Sequence, residues 1–151
     1  MTNGHTGTRA HGHEEPDGGS FFRRQMLWLK AQTFAENIAE LVVRLPRDRA
    51  ADPIASQLVR SAGSVSANIA EGYGRYSQPA YRNHLSIARG STFESESWLD
   101  LLIRRGYVSD TDGKKLLDSC HELGRLLTLR MKSLDENKTY AVKEDGIDYE
   151  V

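Results

Sequence analysis

Asp118 and His121 stand three residues apart, a spacing that on a helix turns a carboxylate and an imidazole to one side and suits a metal ion. His121-Glu122 also begins like a zinc-protease helix, but Arg125 occupies the place of the second histidine. Di-iron bundles need two such motifs plus further glutamates, and no second one occurs. Gly72-Tyr73-Gly74 is too short for a dinucleotide-binding turn and follows no strand pattern, and no Gly-Lys-Ser/Thr phosphate loop exists. Ser64, Ser66, Ser91, Ser95 and Ser97 have no histidine at a useful offset for nucleophilic attack. His5, His11 and His13 fall in a Gly-rich stretch poorly suited to a specific ion site. The expectation is a protein that is not an enzyme and takes no cofactor or metal.

Recognition chemistry is better represented. Ser64, Asn68 and Glu71 lie at i, i+4 and i+7, on one side of a helix. Arg82, Arg89 and Glu96 follow one another at steps of seven on the next helix, with Glu94 on a neighbouring strip. A guanidinium satisfies a carboxylate through two parallel hydrogen bonds, so a Glu71–Arg89 pair between the helices is expected. Asn68, Glu71, Arg89, Glu94 and Glu96 then form an internal network that fixes helix register. The competing readings are contact with RNA phosphate or another ligand, and plain solvated surface. Tyr73, Arg75 and Tyr76 lie in the break between these helices. Such residues stack on unpaired bases while the guanidinium meets phosphate, or else close the end of a bundle. Arg82, Arg104 and Arg105 complete the candidate nucleic-acid contacts. Arg23, Arg24, Arg44, Arg47, Arg49, Arg104 and Arg105 gather near helix ends, where those at C-termini suit the helix dipole with no partner at all.

Helices must position these groups. Leu27, Ala31, Phe34, Ile38, Leu41 and Leu45 recur by four and three in a first helix that starts at Phe21 and stops at Pro46. Asp52-Pro53 reads as an N-cap carboxylate followed by proline. Ile54, Leu58, Ala62, Val65 and Ile69 then make the apolar face of a second helix that Gly72 and Gly74 end. Ser77 caps a third helix, with Tyr81, Leu85, Ala88, Thr92, Ser95, Leu99 and Leu102 as its stripe and Gly106 as its stop. Asp110 or Asp112 opens a fourth, with Leu116, Cys120, Leu123, Leu127, Met131 and Leu134. Ser61, Ala62, Gly63, Ser64, Ser66 and Ala67 allow close backbone approach. No segment shows sustained period-two alternation, so the expected fold is all-α, an antiparallel up-down-up-down four-helix bundle. Its expected bounds are 21–135, between a disordered tail at 1–20 and an acidic, flexible tail at 136–151.

The 151 residues suffice for one core, and the net charge is −1. Arg9 against Glu14, Glu15 and Asp17 leaves the first twenty residues at −2. Lys138 and Lys143 against Glu136, Glu144, Asp145, Asp148 and Glu150 leave the last sixteen at −3. Residues 21–135 therefore carry 17 basic and 13 acidic side chains, a mildly basic centre. No run approaches the roughly 18 apolar residues of a membrane span. The opening residues lack a signal-peptide pattern, and the single Cys120 fits a reducing cytoplasm.

Arg60–Gly72, RSAGSVSANIAEG, with Leu85–Glu96, LSIARGSTFESE, resembles a bacterial family of four-helix-bundle proteins encoded by intervening sequences in 23S ribosomal RNA genes. The matched positions are Arg60, Ser64, Ala67–Gly72, Leu85, Ile87–Ser91, Glu94 and Glu96. Val65 replaces isoleucine, and Thr92-Phe93 and Ser95 stand where leucine or alanine is usual. The resemblance covers about residues 24–135. It implies a ring-like homopentamer, and kinship with the accessory variability protein of diversity-generating retroelements, which binds reverse transcriptase and RNA. The expected function is binding of structured RNA or ribosome by an oligomer that pools its arginines. The alternative is an accessory scaffold for a protein such as a reverse transcriptase. Trp28, Tyr81, Phe93 and Trp98 widen the apolar surface beyond one bundle's needs and favour self-association.

Overall fold

A computed structural model describes the backbone of residues 25–144 and side chains through residue 136. The expectations for 1–20, for 21–24 and for 145–151 lie outside the described residues. Four helices follow in order: α1 (Met26–Val43), α2 (Ala51–Tyr73), α3 (Gln78–Arg104) and α4 (Asp110–Glu144). Among the described residues there is no strand. Each helix packs on its neighbour in the chain, and α1 closes the ring on α4. Connections of a few residues leave each helix antiparallel to the one before, so the bundle is up-down-up-down.

The expected stripes form the core. Phe34 and Ile38 of α1, Leu58, Val65 and Ile69 of α2, Leu85, Leu99 and Leu102 of α3, and Cys120, Leu123 and Leu127 of α4 are all buried.

Several ends differ in detail. α1 stops at Val43, before Pro46, because Leu45 precedes a proline ring that crowds helical backbone there. α2 opens at Ala51, so Asp52 is already inside the first turn. The capping carboxylate is instead Asp48, which accepts from the Ala50 and Ala51 amides at 2.7 and 3.3 Å. Those amides hold its carboxyl below the ordinary carboxylate range. Ser77 caps α3 as expected, accepting from Ala80 N at 3.3 Å. Gly106, at φ +78°, turns the chain out of α3 in the left-handed region that glycine tolerates. Gly72 lies within α2 rather than ending it, and α4 continues through position 136 to Glu144.

Candidate nucleic-acid interface

α3 is pressed against two neighbours by different chemistry. Toward α2 the contact is close and made by small groups. Ser61 Oγ meets Ser95 Oγ at 2.8 Å, and Ser64 Oγ meets Ser91 Oγ at 2.9 Å. Asn68 donates its amide to the Ser64 carbonyl and hydroxyl at 2.8 and 2.9 Å, and its carbonyl faces His84 Nδ1 at 3.3 Å. At the end of the seam a Cβ on Gly72 would fall 2.6 Å from His84 Cβ, so only glycine permits this approach.

Toward α4 the contact is a ladder of long polar side chains at seven-residue steps. Arg82 donates Nε and Nη2 to the two carboxylate oxygens of Asp135 at 2.7 and 3.1 Å, a fork that raises the guanidinium pKa further. Arg89 donates Nε to Thr128 Oγ1 at 3.0 Å. Glu96 meets His121 Nε2 at 2.8 Å. The step of seven on α3 is answered by a step of seven, in reverse, on α4. This is what antiparallel helices in constant register require.

The ladder corrects the expected network. Glu71 is half exposed and pairs with Arg75 at 2.6 Å on its own helix, with His84 Nδ1 3.9 Å away. Arg89 faces α4 rather than α2, and its ring contact is Phe93, 4.8 Å from the guanidinium carbon. Glu94 accepts from Trp98 Nε1 one turn along. Asn68, Glu71, Arg89, Glu94 and Glu96 are thus divided among separate contacts, and Glu71, Arg89 and Glu94 are exposed to solvent. Rotation explains the error. Positions 82, 89 and 96 lie on the α4-facing edge of α3, whereas 84, 91 and 95 face α2. Among the buried hydroxyls, those of Ser61 and Ser95 pair across α2 and α3, whereas Thr92 donates to the Ala88 carbonyl within α3.

The candidate nucleic-acid residues fall at both ends of the bundle. Tyr73 is half buried, its ring edge-on to Tyr81 at 6.3 Å and 89°. Tyr76, in the turn after α2, is fully exposed. Arg75 and Arg82 share this end, and α4 brings Arg130 there, 5.8 Å over the Tyr81 ring. Arg104 and Arg105 sit at the far end of the 27-residue α3, roughly 40 Å away at 1.5 Å per residue. Arg104 is paired with Asp100 at 2.6 Å. The six candidate contacts therefore do not make one site. Tyr73, Arg75, Tyr76 and Arg82 share the α2–α3 end of the bundle, Arg75 paired with Glu71 and Arg82 with Asp135.

Asp118 pairs with Lys114 at 2.9 Å, and His121 with Glu96. Among the described residues no three His, Cys, Asp or Glu side chains converge as a metal site. No described helix is long and apolar enough to cross a membrane. Sequence reasoning missed the Arg89–Phe93–Thr128 contact, although the i, i+4 spacing of Arg89 and Phe93 was available as a signal.

No curated protein matches the chain. Among solved structures it is similar to a protein of unknown function from the S23 ribosomal protein family of Bacteroides thetaiotaomicron VPI-5482, known from a 1.70 Å crystal structure. The two share 30% identity over 71% of this chain and 99% of that one, with a TM-score of 0.67. The 23S rRNA-intervening sequence protein model matches residues 23–129, spanning all of α1, α2 and α3 and the first half of α4. Serine-lined α2–α3 packing and the family match coincide in the same stretch, and the chain belongs to the 23S rRNA-intervening sequence protein family.

Proposed function

We propose that this chain is a non-enzymatic, oligomeric bundle that binds structured RNA with the end formed by the α2–α3 turn. The observation that carries the reading is Tyr76, a fully exposed ring between Arg75 and Arg82. An aromatic in open solvent gains by stacking on an unpaired base, and the flanking guanidinium groups meet phosphate. The family's association with 23S ribosomal RNA genes agrees with such a partner. Self-association, as the expected homopentamer, is supported by the groove between the end of α1 and the start of α2. There Val43 is 85% and Val59 is 41% exposed beside Leu45 and Ala55. Five copies would add their modest positive fields around one axis.

Gel shifts with 23S ribosomal RNA fragments across a potassium chloride series test the reading, together with solution mass. Tyr76→Ala with Arg75→Ala is expected to weaken binding at least tenfold, as loss of one stacked base and one phosphate contact implies. Arg104→Ala with Arg105→Ala, at the opposite end, should leave it unchanged. No binding by the native protein at low salt would remove RNA as the partner. The second reading, an accessory scaffold for a protein such as a reverse transcriptase, is favoured by one feature. This is the α1–α4 groove, lined by the exposed Met26 and Leu29 with Phe34 and Leu123 beneath. Co-purification from the native host discriminates it.

A further inference from the structure

We infer that Arg89 is a pre-oriented phosphate clamp, built into the α3–α4 seam and held there by Phe93 and Thr128. This rests on the RNA-binding reading and names a contact of that partner along the side of the bundle.

An exposed arginine ordinarily samples many rotamers and loses that freedom when it binds. Arg89 is exposed yet anchored twice. Its guanidinium carbon lies 4.8 Å from the centre of the Phe93 ring, one turn along α3. Its Nε donates to Thr128 Oγ1 at 3.0 Å. The threonine is itself fixed, because its hydroxyl donates to the Gly124 carbonyl at 2.9 Å and so offers Arg89 a lone pair. Phe93 is set against α4 at Gly124, where a Cβ would stand 3.8 Å from its Cε2 atom. The anchors use the ring face and Nε. Among the described residues the two Nη groups have no acceptor, and these carry the paired N–H bonds that match two oxygens of a phosphate.

The surroundings favour an anion. On α4, Arg125 and Lys132 lie three residues before and four after Thr128, on the same edge, and both are exposed. On α3, Arg82 is the next rung, its charge shared with Asp135. The two carboxylate rungs, Asp135 with Arg82 and Glu96 with His121, lie two turns to either side and each is occupied by its partner. Ser86 and Gly90, one turn before and one residue after Arg89, leave the approach sterically open. Gly90 has nothing within 4 Å of its Cβ position. Between this strip and the Tyr76 turn lie Arg82, forked with Asp135, and Arg75, paired with Glu71.

Charge-preserving variants separate an oriented fork from general attraction. Binding of a fluorescein-labelled 23S ribosomal RNA fragment would be followed by anisotropy across a salt series. Arg89→Lys is expected to weaken it roughly tenfold, the loss of a charge-assisted pair of hydrogen bonds. Phe93→Leu, which leaves every charge in place, should weaken it several-fold. Arg89→Ala should also lower the salt slope by about one. Independently, inorganic pyrophosphate should shift the Arg89 Nε–H resonance, assigned by its absence in Arg89→Lys. If Tyr76→Ala weakens binding of the RNA fragment while Arg89→Lys and Phe93→Leu match the native protein, the clamp is overturned and the RNA reading stands. If the native protein binds no RNA but pyrophosphate moves the Nε–H resonance, the RNA reading falls and the anion clamp stands. Silence in both experiments overturns both.

Discussion

The two long seams of α3 show how one helix is fixed in two ways. Against α2 it is set by what is missing: hydroxyls in place of longer chains, and at Gly72 no side chain at all. Against α4 it is set by reach, with Arg82, Arg89 and Glu96 spanning to Asp135, Thr128 and His121. The first seam is dry and intolerant. The second is wet at its rim, and its groups keep capacity for outside partners. Close packing therefore explains stability in one seam, and the other is where recognition can evolve without unfolding the bundle.

The sharpest way to break the contrast is Gly72→Val. Its Cβ would lie 2.6 Å from His84 Cβ and 3.0 Å from a Tyr81 ring carbon. Neither neighbour can yield cheaply, since His84 is met at its own Cβ and Tyr81 is buried. Overpacking of this kind costs about 3 kcal/mol or more when backbone must move. Urea denaturation should show that loss, and Gly124→Ala, which meets only an ordinary contact in the open seam, should be nearly neutral. Equal stability of the two variants would erase the distinction.

The repeating apolar positions were sufficient to place all four helices, because burial selects the same 3.6-residue stripe in any bundle. Which polar residue faces which neighbour was not legible in the same way. The line Arg82–Arg89–Glu96 lies only a fraction of a turn from Ser91 and Ser95, and that small rotation assigns one set to α4 and the other to α2. Asp48 does not stand out as a cap in the sequence, because Asp52-Pro53 carries the usual start signal. The decisive fact was where the chain emerges from the α1–α2 connection, which local pattern does not encode. Tyr73 and Tyr76 read alike in sequence, yet Tyr73 reaches Tyr81 and Tyr76 reaches nothing.

How dry the interior is behind the wet rim can be read at Cys120. It neighbours His121 on α4, with Glu96 close enough to matter, and burial foremost pushes its thiol up to about 12. The unfolded chain ionises near the ordinary value of 9.0. Between those values the folded state holds a proton that the unfolded state has released. The stabilisation is therefore complete below pH 9 and is lost as pH rises toward 12. The slope approaches about 1.4 kcal/mol per pH unit. Unfolding curves from pH 8 to 10.5 should show this decline in the native protein, and Cys120→Ala should remove that component. Iodoacetamide should label Cys120 at pH 8 only as fast as the bundle opens. Rapid labelling of the folded protein would mean that water passes the ladder.

The smallest effect is expected at the ladder itself. In Glu96–His121 the imidazole is 61% exposed and the carboxylate 32%, so water competes for both partners and screens them. A double-mutant cycle of Glu96→Gln and His121→Gln should return a coupling of about 0.5 kcal/mol or less. It should shrink further in 1 M salt by ordinary screening. The rung's value would then lie in register rather than stability. The heptad match with Arg82–Asp135 and Arg89–Thr128 makes a one-residue slip of α4 misalign all three rungs at once. A coupling of several kcal/mol would place Glu96 and His121 among the core fasteners and make the two faces of α3 energetically alike.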